Sequence, residues 1–256
     1  MIELQNITAG YSGEPVLKGI SMTAKPGQIT TVIGRNGCGK STLLRCMTGN
    51  LKVSSGKVLI DEQDISHLSS REIAMRTAYL TQGKDVPDIS AGRLVLHGRF
   101  PYLSYPRKYS RKDLEIAGQA MEQLGISHLK SKDMAELSGG MRQNVYIAMA
   151  LAQQAPAILM DEPTTYLDIG QQYKLAHILR RLAAQNKTIV IVLHDLLLAL
   201  HISDQITVID NGVCAAQGTP EEILNSGVLE KIYGIRIGTL QTDTGIQYYY
   251  QMENKL

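Results

Sequence analysis

The chain has 256 residues, of which 44 % are apolar and 20 % charged, proportions typical of a globular protein and not of a disordered one. Its 26 basic and 24 acidic residues nearly cancel, which argues against nucleic-acid binding through bulk positive charge. Its longest apolar run, residues 188–193, is far shorter than the ~20 residues of a membrane span. Three irregularly spaced cysteines and a start without a secretory leader predict a reducing, cytoplasmic compartment.

The first third of the chain alternates short apolar segments with helical ones. A β-branched run after Pro26-Gly27 predicts a buried strand, and a glycine-rich turn and a helix follow it. Further strands and a short helix are predicted before residue 82. The predicted strands are residues 28–33, 57–60 and 78–81, and the predicted helices are 41–47 and 70–76.

The middle of the chain changes character. Apolar residues recur at helical spacing in residues 114–124 and 142–151, while strand signals vanish, so we predict an inserted helical subdomain over about 88–152. Strands then return at 157–160, 188–193 and 205–209, separated by predicted helices at 170–184 and 196–201. This alternation predicts a mostly parallel sheet covered on both faces, and the last twenty residues predict one short appended strand.

A phosphate-binding turn is the most specific pattern in the sequence. Residues 34–42 read Gly-Arg-Asn-Gly-Cys-Gly-Lys-Ser-Thr and fit G-x-x-x-x-G-K-[ST], with a predicted strand before and a predicted helix after. The glycines let backbone N–H groups surround phosphates, Lys40 brings a positive charge to the β- and γ-phosphates, and the Ser41 hydroxyl can bind Mg²⁺. The alternative is a plain strand-to-helix turn.

Polar side chains follow the ends of three predicted strands. Asp161 and Glu162 end the apolar run 157–160, and we predict that Asp161 binds Mg²⁺ while Glu162 orients or deprotonates the attacking water. His194 and Gln82 end two other strands, and parallel strands end on the edge where α/β folds bind ligands, so both are candidates for the γ-phosphate. A solvated strand end and a structural histidine are the alternatives.

A second anion-binding helix start is predicted at residues 135–143, Ala-Glu-Leu-Ser-Gly-Gly-Met-Arg-Gln, because the first N–H groups of a helix lack partners. Together these patterns resemble the ATP-binding subunit of ABC transporters. In that family residues 34–42 match Walker A, 158–162 Walker B and 137–143 the signature, in which Met141 stands where glutamine is commoner. Gln82, Asp168 and His194 match the Q-loop, D-loop and switch histidine, and Tyr11 matches the aromatic that stacks on adenine.

The resemblance implies a fold class and a set of roles. The fold is an α/β ABC cassette with a RecA-like mostly parallel sheet, an antiparallel β subdomain and the inserted helical subdomain, over residues 1–234, with a short extension at 235–256. The implied ligands are ATP and Mg²⁺, with Glu162, His194 and Gln82 catalytic and Ser41, Gln82 and Asp161 around the metal. The implied nucleotide contacts are Tyr11, Gly34, Asn36, Gly37, Cys38, Gly39, Lys40, Ser41, Thr42, Ser138, Gly139, Gly140 and Asp168.

The resemblance also implies partners. In this family two cassettes pack head to tail, so Ser138 and Gly140 of one cap the γ-phosphate held by the other, and a homodimer closes both sites. Residues 96–102 and 164–168 are similar to importer ATPases for iron–siderophore, haem and cobalamin complexes. This implies transmembrane permease subunits, a substrate-binding protein acting indirectly, and a peripheral position on the cytoplasmic face of the membrane. Nucleic acid is not an expected partner.

Several alternatives stay open at this point. Residues 98–105 are expected to line the groove that grips the permease, although an ordinary loop is possible, and the basic run 107–112 reads as a solvated face or a lipid contact. A haem or cobalamin importer is the alternative to a ferric siderophore importer. A soluble ABC ATPase and a nucleotide kinase are alternatives of other classes. Cys38 lies next to a helix start, where a thiolate is favoured, and the alternative is a small residue that fills the turn. Its alkylation is expected to block ATP hydrolysis unless ATP is bound.

Overall fold

The computed structural model describes residues 1–11, 13–81, 83, 86–243 and 245–251. The described strands are β1 (Ile2–Tyr11), β2 (Glu14–Ala24), β3 (Ile29–Ile33), β4 (Ser55–Ile60), β5 (Gln63–Asp64), β6 (Thr77–Leu80), β7 (Ala157–Asp161), β8 (Thr188–Val192), β9 (Gln205–Asp210), β10 (Val213–Gly218), β11 (Arg236–Thr242) and β12 (Gly245–Gln251). The described α-helices are α1 (Lys40–Met47), α2 (Ser70–Arg76), α3 (Ala91–His97), α4 (Arg111–Gln123), α5 (Gly139–Ala152), α6 (Ile169–Ala184), α7 (Leu196–Ile202), α8 (Pro220–Asn225) and α9 (Val228–Tyr233).

A six-stranded sheet forms the centre of the molecule, in the order β10-β9-β3-β8-β7-β6. All neighbours in it are parallel except β9 and β10. Every residue of β3, β7 and β8 is buried, as expected for parallel strands that are covered on both faces. The predicted mostly parallel sheet is confirmed, and its parallel strands bring their carboxyl ends to one edge.

A four-stranded antiparallel sheet, in the order β2-β1-β4-β5, carries the first residues of the chain. Its long strands β1 and β2 alternate buried and exposed residues with irregularities in register, which bend them over the apolar cluster beneath. The α/β fold class with an antiparallel sheet is therefore confirmed. The bounds of β1 and β2 were not predicted from the sequence, since bulges interrupt the alternation that a strand pattern needs.

Helices and short 3₁₀ turns occupy the chain between β6 and β7. Helices α3, α4 and α5 pack on one another, and their apolar faces join the larger of the two apolar cores. Helix α4 begins with a capping box in which Ser110 and Asp113 exchange hydrogen bonds with each other's backbone. The predicted helices at 114–124 and 142–151 are present and begin three residues earlier, at Arg111 and Gly139.

The end of the chain differs from the sequence prediction of one appended strand. Strands β11 and β12 pair with each other as an antiparallel hairpin, in register from Arg236↔Gln251 to Thr242↔Gly245. The first strand was missed because its residues, Arg-Ile-Gly-Thr-Leu-Gln-Thr, alternate only weakly in polarity. The hairpin lies against α7 through β12. Within the described part of the chain, no helix combines the length and the apolarity needed to cross a bilayer.

Candidate nucleotide-binding site

The turn between β3 and α1 is held in a shape that only glycine allows at two positions. A Cβ atom at Gly34 would lie 2.2 Å from the Ile209 carbonyl oxygen, and Gly39 has φ +110 with the Leu17 side chain 2.7 Å from its would-be Cβ. Both glycines therefore let the loop pass close to neighbouring strands before the helix begins. The loop then exposes the backbone N–H groups at the start of α1.

Lys40, the first residue of α1, lies over this loop and is 5 % exposed. Its Nζ donates hydrogen bonds to the carbonyl oxygens of Gly34, at 2.8 Å, and Arg35, at 3.1 Å. These bonds stabilise the buried ammonium group and fix it at the centre of the turn. A cation in that position attracts an oxyanion that enters the loop.

A cavity of about 440 Å³ brings together residues that the sequence analysis took from three separate segments. The loop and the start of α1 form one wall, and the residues that follow β7 and β8 form another. A larger cavity of about 750 Å³, between α5, α6 and residues 122–129, contains none of the predicted catalytic residues, nucleotide contacts or metal ligands. The residues lining the smaller cavity are Val16, Asn36, Gly37, Gly39, Lys40, Ser41, Thr42, Glu162 and His194.

Glu162 and His194 meet at the edge of the sheet. The Nε2 atom of His194 contacts the Oε1 atom of Glu162, and the backbone N–H of Glu162 donates to the Val192 carbonyl oxygen at 3.2 Å. Glu162 is buried and has φ +50, a left-handed conformation that turns its side chain out of the strand direction. The arrangement places a carboxylate and an imidazole at one point of the cavity, where either can hold or pass a proton.

Asp161 lies beneath the cavity, at the end of β7, and is 2 % exposed. Burial raises the pKa of Asp161, the Ser41 hydroxyl hydrogen-bonded to it lowers the pKa, and the neighbouring charge of Glu162 raises it again. The Oδ1 atom is buried and has no hydrogen-bond partner among the described residues. A buried carboxylate oxygen without a partner, beside a serine hydroxyl, fits the oxygen ligand set that Mg²⁺ prefers.

No group of three or more His, Cys, Asp or Glu side chains in the described ranges has the geometry of a metal site. The oxygens of Ser41 and Asp161 could hold a magnesium ion together with phosphate oxygens and water, the ligands that Mg²⁺ commonly keeps. Gln82, the other predicted ligand, lies outside the described residues. The adenine-stacking candidate Tyr11 is 45 % exposed at the end of β1, and Arg45 donates a hydrogen bond to its hydroxyl at 3.0 Å.

The second predicted anion-binding site is present as the start of helix α5. Ser138 caps α5, and its Oγ accepts a hydrogen bond from the Met141 N–H at 3.4 Å, while Gly139 and Gly140 form the first turn. A Cβ atom at Gly140 would lie 2.9 Å from the Tyr166 carbonyl oxygen, so the loop after β7 passes close beneath it. Ser138, Gly139 and Gly140 do not line the cavity that holds Lys40.

The Gln143 side chain ties this helix start to the loop before α6. Gln143 donates to the Pro163 carbonyl oxygen at 2.9 Å, a contact that sequence reasoning did not find because the two residues lie on different elements. Asp168 caps α6, accepting from the Gln171 N–H at 2.8 Å. The helix start and the loop that follows Glu162 therefore form one hydrogen-bonded unit.

The prediction that Cys38 favours its thiolate is wrong. Cys38 is 6 % exposed, and burial raises its pKa, an effect that the nearby Lys40 charge only partly offsets. The sequence shows the helix start beside this thiol but not what buries it. A third cavity, of about 370 Å³, lies on this side of the loop, and α9 contributes Ile232 to its lining together with Cys38.

The segment 98–107 divides into a buried part and an exposed part. Arg99 is 7 % exposed, and it pairs with Asp113 at 3.0 Å and donates to the Ala152 carbonyl oxygen, so it is a structural residue. Phe100 is 48 % exposed and Tyr105 is 96 % exposed. Of the residues expected to line the permease groove, Phe100 and Tyr105 are therefore exposed, whereas Arg99 is buried.

Comparison with known proteins accounts for this arrangement. The family model described as ABC transporter matches residues 17–165. The achromobactin transport ATP-binding protein CbrD of Dickeya dadantii is 37 % identical over 91 % of this chain and 88 % of its own length. The ferric enterobactin transport ATP-binding protein FepC of Escherichia coli is 38 % identical over 91 % and 86 %. The hemin import ATP-binding protein HmuV of Rhodococcus jostii is 35 % identical over 91 % and 80 %.

Solved structures are similar over the same extent. An ABC transporter described as of the metal-chelate type, in an inward-facing conformation, superposes with a TM-score of 0.84 at 27 % identity, covering 100 % of this chain and 99 % of that one. A dimeric bacterial ABC transporter cassette superposes with a TM-score of 0.78 at 27 % identity, covering 86 % and 99 %.

Proposed function

The chain belongs to the ABC transporter family, as an ATP-binding subunit that couples ATP hydrolysis to transport, and we propose that it energises a membrane importer of a ferric siderophore or a related iron complex. The observation that carries the proposal is the shared cavity of Lys40, Glu162 and His194, in a chain whose similar proteins transport achromobactin and ferric enterobactin. Haem is the second candidate cargo, supported by the similarity to the hemin import protein.

The cavity supports a division of roles in hydrolysis. The loop N–H groups and Lys40 bind the β- and γ-phosphates, and Glu162 accepts the proton of the attacking water as it approaches the γ-phosphorus. His194, in contact with Glu162, keeps that carboxylate oriented and can donate a hydrogen bond to the γ-phosphate oxygens as charge develops. Mg²⁺ held beside Ser41 and Asp161 would neutralise charge on the bridging and γ-phosphate oxygens.

The separation between the phosphate loop of residues 34–42 and the helix start at Ser138 supports a dimer. Because Ser138, Gly139 and Gly140 lie away from the cavity of their own chain, they are available to cap the γ-phosphate bound to a second copy. A similar cassette has been solved as a dimer. The proposed assembly is a homodimer bound to transmembrane permease subunits at the cytoplasmic face of the membrane, with a substrate-binding protein acting on the far side. Gln82, Asp168 and Tyr11 keep the roles that the family resemblance implies.

The test begins with the native membrane complex. A tagged chain, purified from membranes of the producing organism, should bring down a polytopic permease. Cells lacking this chain should lose uptake of a radiolabelled ferric siderophore, and uptake should return with the wild-type chain but not with Glu162→Gln. Haem and cobalamin uptake are measured in parallel. Loss of haem uptake alone would move the assignment to the second candidate, and loss of none of the three would refute it.

A further inference from the structure

We propose that Arg45 is a positioning residue that holds the Tyr11 ring ready for the adenine base. The inference deepens the proposed function and rests on it, since it takes residues 34–42 as the phosphate site and Tyr11 as the base contact. Arg45 was not among the residues that the sequence singled out. The structure brings it to Tyr11 from a helix that begins at Lys40.

Tyr11 needs such a contact because of where it lies. It is the last residue of β1, paired with Glu14 at the end where β1 leads into β2, and it is 45 % exposed. An exposed tyrosine at a strand end samples several rotamers, and a base that stacks on it must first immobilise it. The Arg45 Nη1 atom donates to the Tyr11 hydroxyl at 3.0 Å, which fixes the far end of the ring before any ligand arrives.

Arg45 is suited to this task by its element. It lies in the last turn of α1, the helix whose first residues are Lys40 and Ser41. One rigid helix therefore carries the phosphate contacts at its start and the tether of the base contact at its end. The helix C-terminus also favours a cation, which stabilises the guanidinium where it is.

The guanidinium has a second neighbour across the site. The Tyr79 hydroxyl on β6 interacts electrostatically with Arg45, although no hydrogen bond of ordinary geometry forms, and Tyr79 in turn senses the charge of Asp161. Burial first, and that charge next, raise the pKa of Tyr79 to about 12, so its hydroxyl stays protonated. Tyr79 is thus a second hydroxyl group within electrostatic range of the Arg45 guanidinium.

The fork of an arginine explains why this residue type is present. Its five N–H donors are fixed in a plane and can face two hydroxyl groups at once, which a lysine ammonium on a flexible chain does less well. A direct contact of Arg45 with phosphate is the competing role. It is disfavoured because Arg45 does not line the cavity of about 440 Å³ around Lys40.

The experiment is a double-mutant cycle on nucleotide binding. The Kd values of ATP and of inorganic tripolyphosphate, which has no base, are measured by calorimetry for the wild type, Arg45→Met, Tyr11→Phe and the double variant. Arg45→Met should weaken ATP about threefold to tenfold, the cost of immobilising one free side chain, and leave tripolyphosphate within twofold. In the Tyr11→Phe background, which lacks the hydroxyl, Arg45→Met should change ATP affinity less than twofold. The Kd of ATP for Arg45→Lys should lie between the wild-type value and the Arg45→Met value.

Three controls separate the possible failures. Arg111→Met removes the same charge from a side chain that is 94 % exposed, and it should change neither Kd. Lys40→Ala should weaken both ligands, and if it did not, the proposed phosphate site itself would be wrong. Arg45 would lose its assigned role if Arg45→Met weakened ATP equally in both backgrounds, weakened tripolyphosphate as much as ATP, or left ATP affinity unchanged. Circular dichroism at each step verifies that every variant is folded.

Discussion

Asp161 is the residue at which function and stability conflict most clearly. Its carboxylate is almost fully buried, one oxygen has no hydrogen-bond partner in the described part of the chain, and its pKa is raised. A raised pKa means that ionising Asp161 costs more in the folded chain than in the unfolded one. Stability is therefore unaffected at low pH and is lost as pH rises from the unfolded pKa through the folded pKa. At neutral pH the free chain carries that cost, which binding a cation would offset.

The variant Asp161→Asn tests this conflict. Removing the buried charge should raise the melting temperature of the ligand-free chain at pH 7 by roughly 1–4 °C, while Mg²⁺-dependent ATP hydrolysis falls by at least about tenfold. Differential scanning fluorimetry and phosphate release measure the two effects. The gain in melting temperature should shrink as pH is lowered, because the raised pKa lets the native carboxyl take up its proton and lose its charge. A variant that melts below the wild type at pH 7 would show that Asp161 stabilises the free chain.

Cys38 gives a second prediction at this scale, of reactivity. Because burial raises its pKa and only 6 % of it is exposed, alkylation by iodoacetamide should be slow at pH 7 and speed up steadily towards pH 9 and above. Once formed, the adduct should block ATP hydrolysis, and bound ATP should protect. Cys38→Ala is the control, because it shows how much label enters at fully buried Cys46 and at half-buried Cys214, whose thiol pKa values burial also raises. Fast labelling of Cys38 at pH 7 would contradict the prediction.

At the scale of elements, one buried ion pair joins α3, α4 and α5. The Arg99 Nε atom lies 3.0 Å from Asp113 Oδ1, with side chains 8 % and 12 % exposed, and Arg99 also bonds to the end of α5. Burial by itself raises the pKa of Asp113, but hydrogen bonds from Ser110 and the Arg99 guanidinium hold it below its usual range. The stability that this pair contributes is thus present at neutral pH and lost as pH falls through that lowered pKa.

Arg99→Met should lower the free energy of unfolding by about 3–5 kcal/mol, because it leaves a buried carboxylate without its cation. Urea unfolding at pH 7 measures this. The matched control is Arg111→Met, which breaks an exposed pair with Glu115 on α4 and should cost at most about 0.5 kcal/mol. Equal losses of unfolding free energy in the two variants would mean that the buried ion pair stabilises the fold no more than the exposed one.

The C-terminal hairpin of β11 and β12 is the other element whose role the tertiary structure defines. A two-stranded hairpin is marginal alone, and this one lies on α7, where the rings of Tyr248 and His201 meet edge to face at 6.4 Å between centroids. Tyr248→Ala should cost about 1–3 kcal/mol of unfolding free energy. Tyr249→Ala, on the exposed side of β12, should cost less than half of that by urea unfolding. The reverse order would place the contact face on the other side of the strand.

At the scale of the whole molecule, the dimer is expected to contain two ATP sites, and each chain is expected to supply one half of each site. Glu162→Gln should bind ATP and Mg²⁺, form a stable dimer and hydrolyse very slowly, since the nucleotide is held and the proton acceptor is weakened. Size-exclusion chromatography with light scattering measures the mass with and without ATP. A Glu162→Gln chain that stayed monomeric in millimolar ATP and Mg²⁺ would contradict the dimer.

Mixing two inactive variants also tests whether each ATP site is formed by both chains of the dimer. Lys40→Ala damages the phosphate loop, and Ser138→Arg damages the signature helix start, so each homodimer is inactive. In the mixed dimer, the intact loop of one chain faces the intact helix start of the other. Part of the wild-type hydrolysis should therefore return on mixing. No return of activity, with mixed dimers present by mass, would favour two self-contained sites.

Much of the candidate site was readable from the sequence because its pieces are contiguous. The loop of residues 34–42, the acids after β7 and the helix start at Ser138 each carry their chemistry within a few residues, where backbone geometry and spacing decide it. Local periodicity also predicted the strands that correspond to β3, β4, β6, β7, β8 and β9, although β1, β2 and β11 were not found. The parallel sheet then required the strand ends to meet at one edge, which brought Glu162 and His194 within reach of each other as expected.

The tertiary structure decided what surrounds each of those pieces. That Cys38 is buried, that Asp161 keeps an orphaned oxygen and that Arg45 reaches Tyr11 all depend on residues far away in sequence. The physical reason is that spacing fixes which groups a chain presents, while burial and long-range neighbours fix their charge state and orientation. The sequence by itself determined which chemistry this chain carries. Only its packing determined which side chains are held ready to perform it.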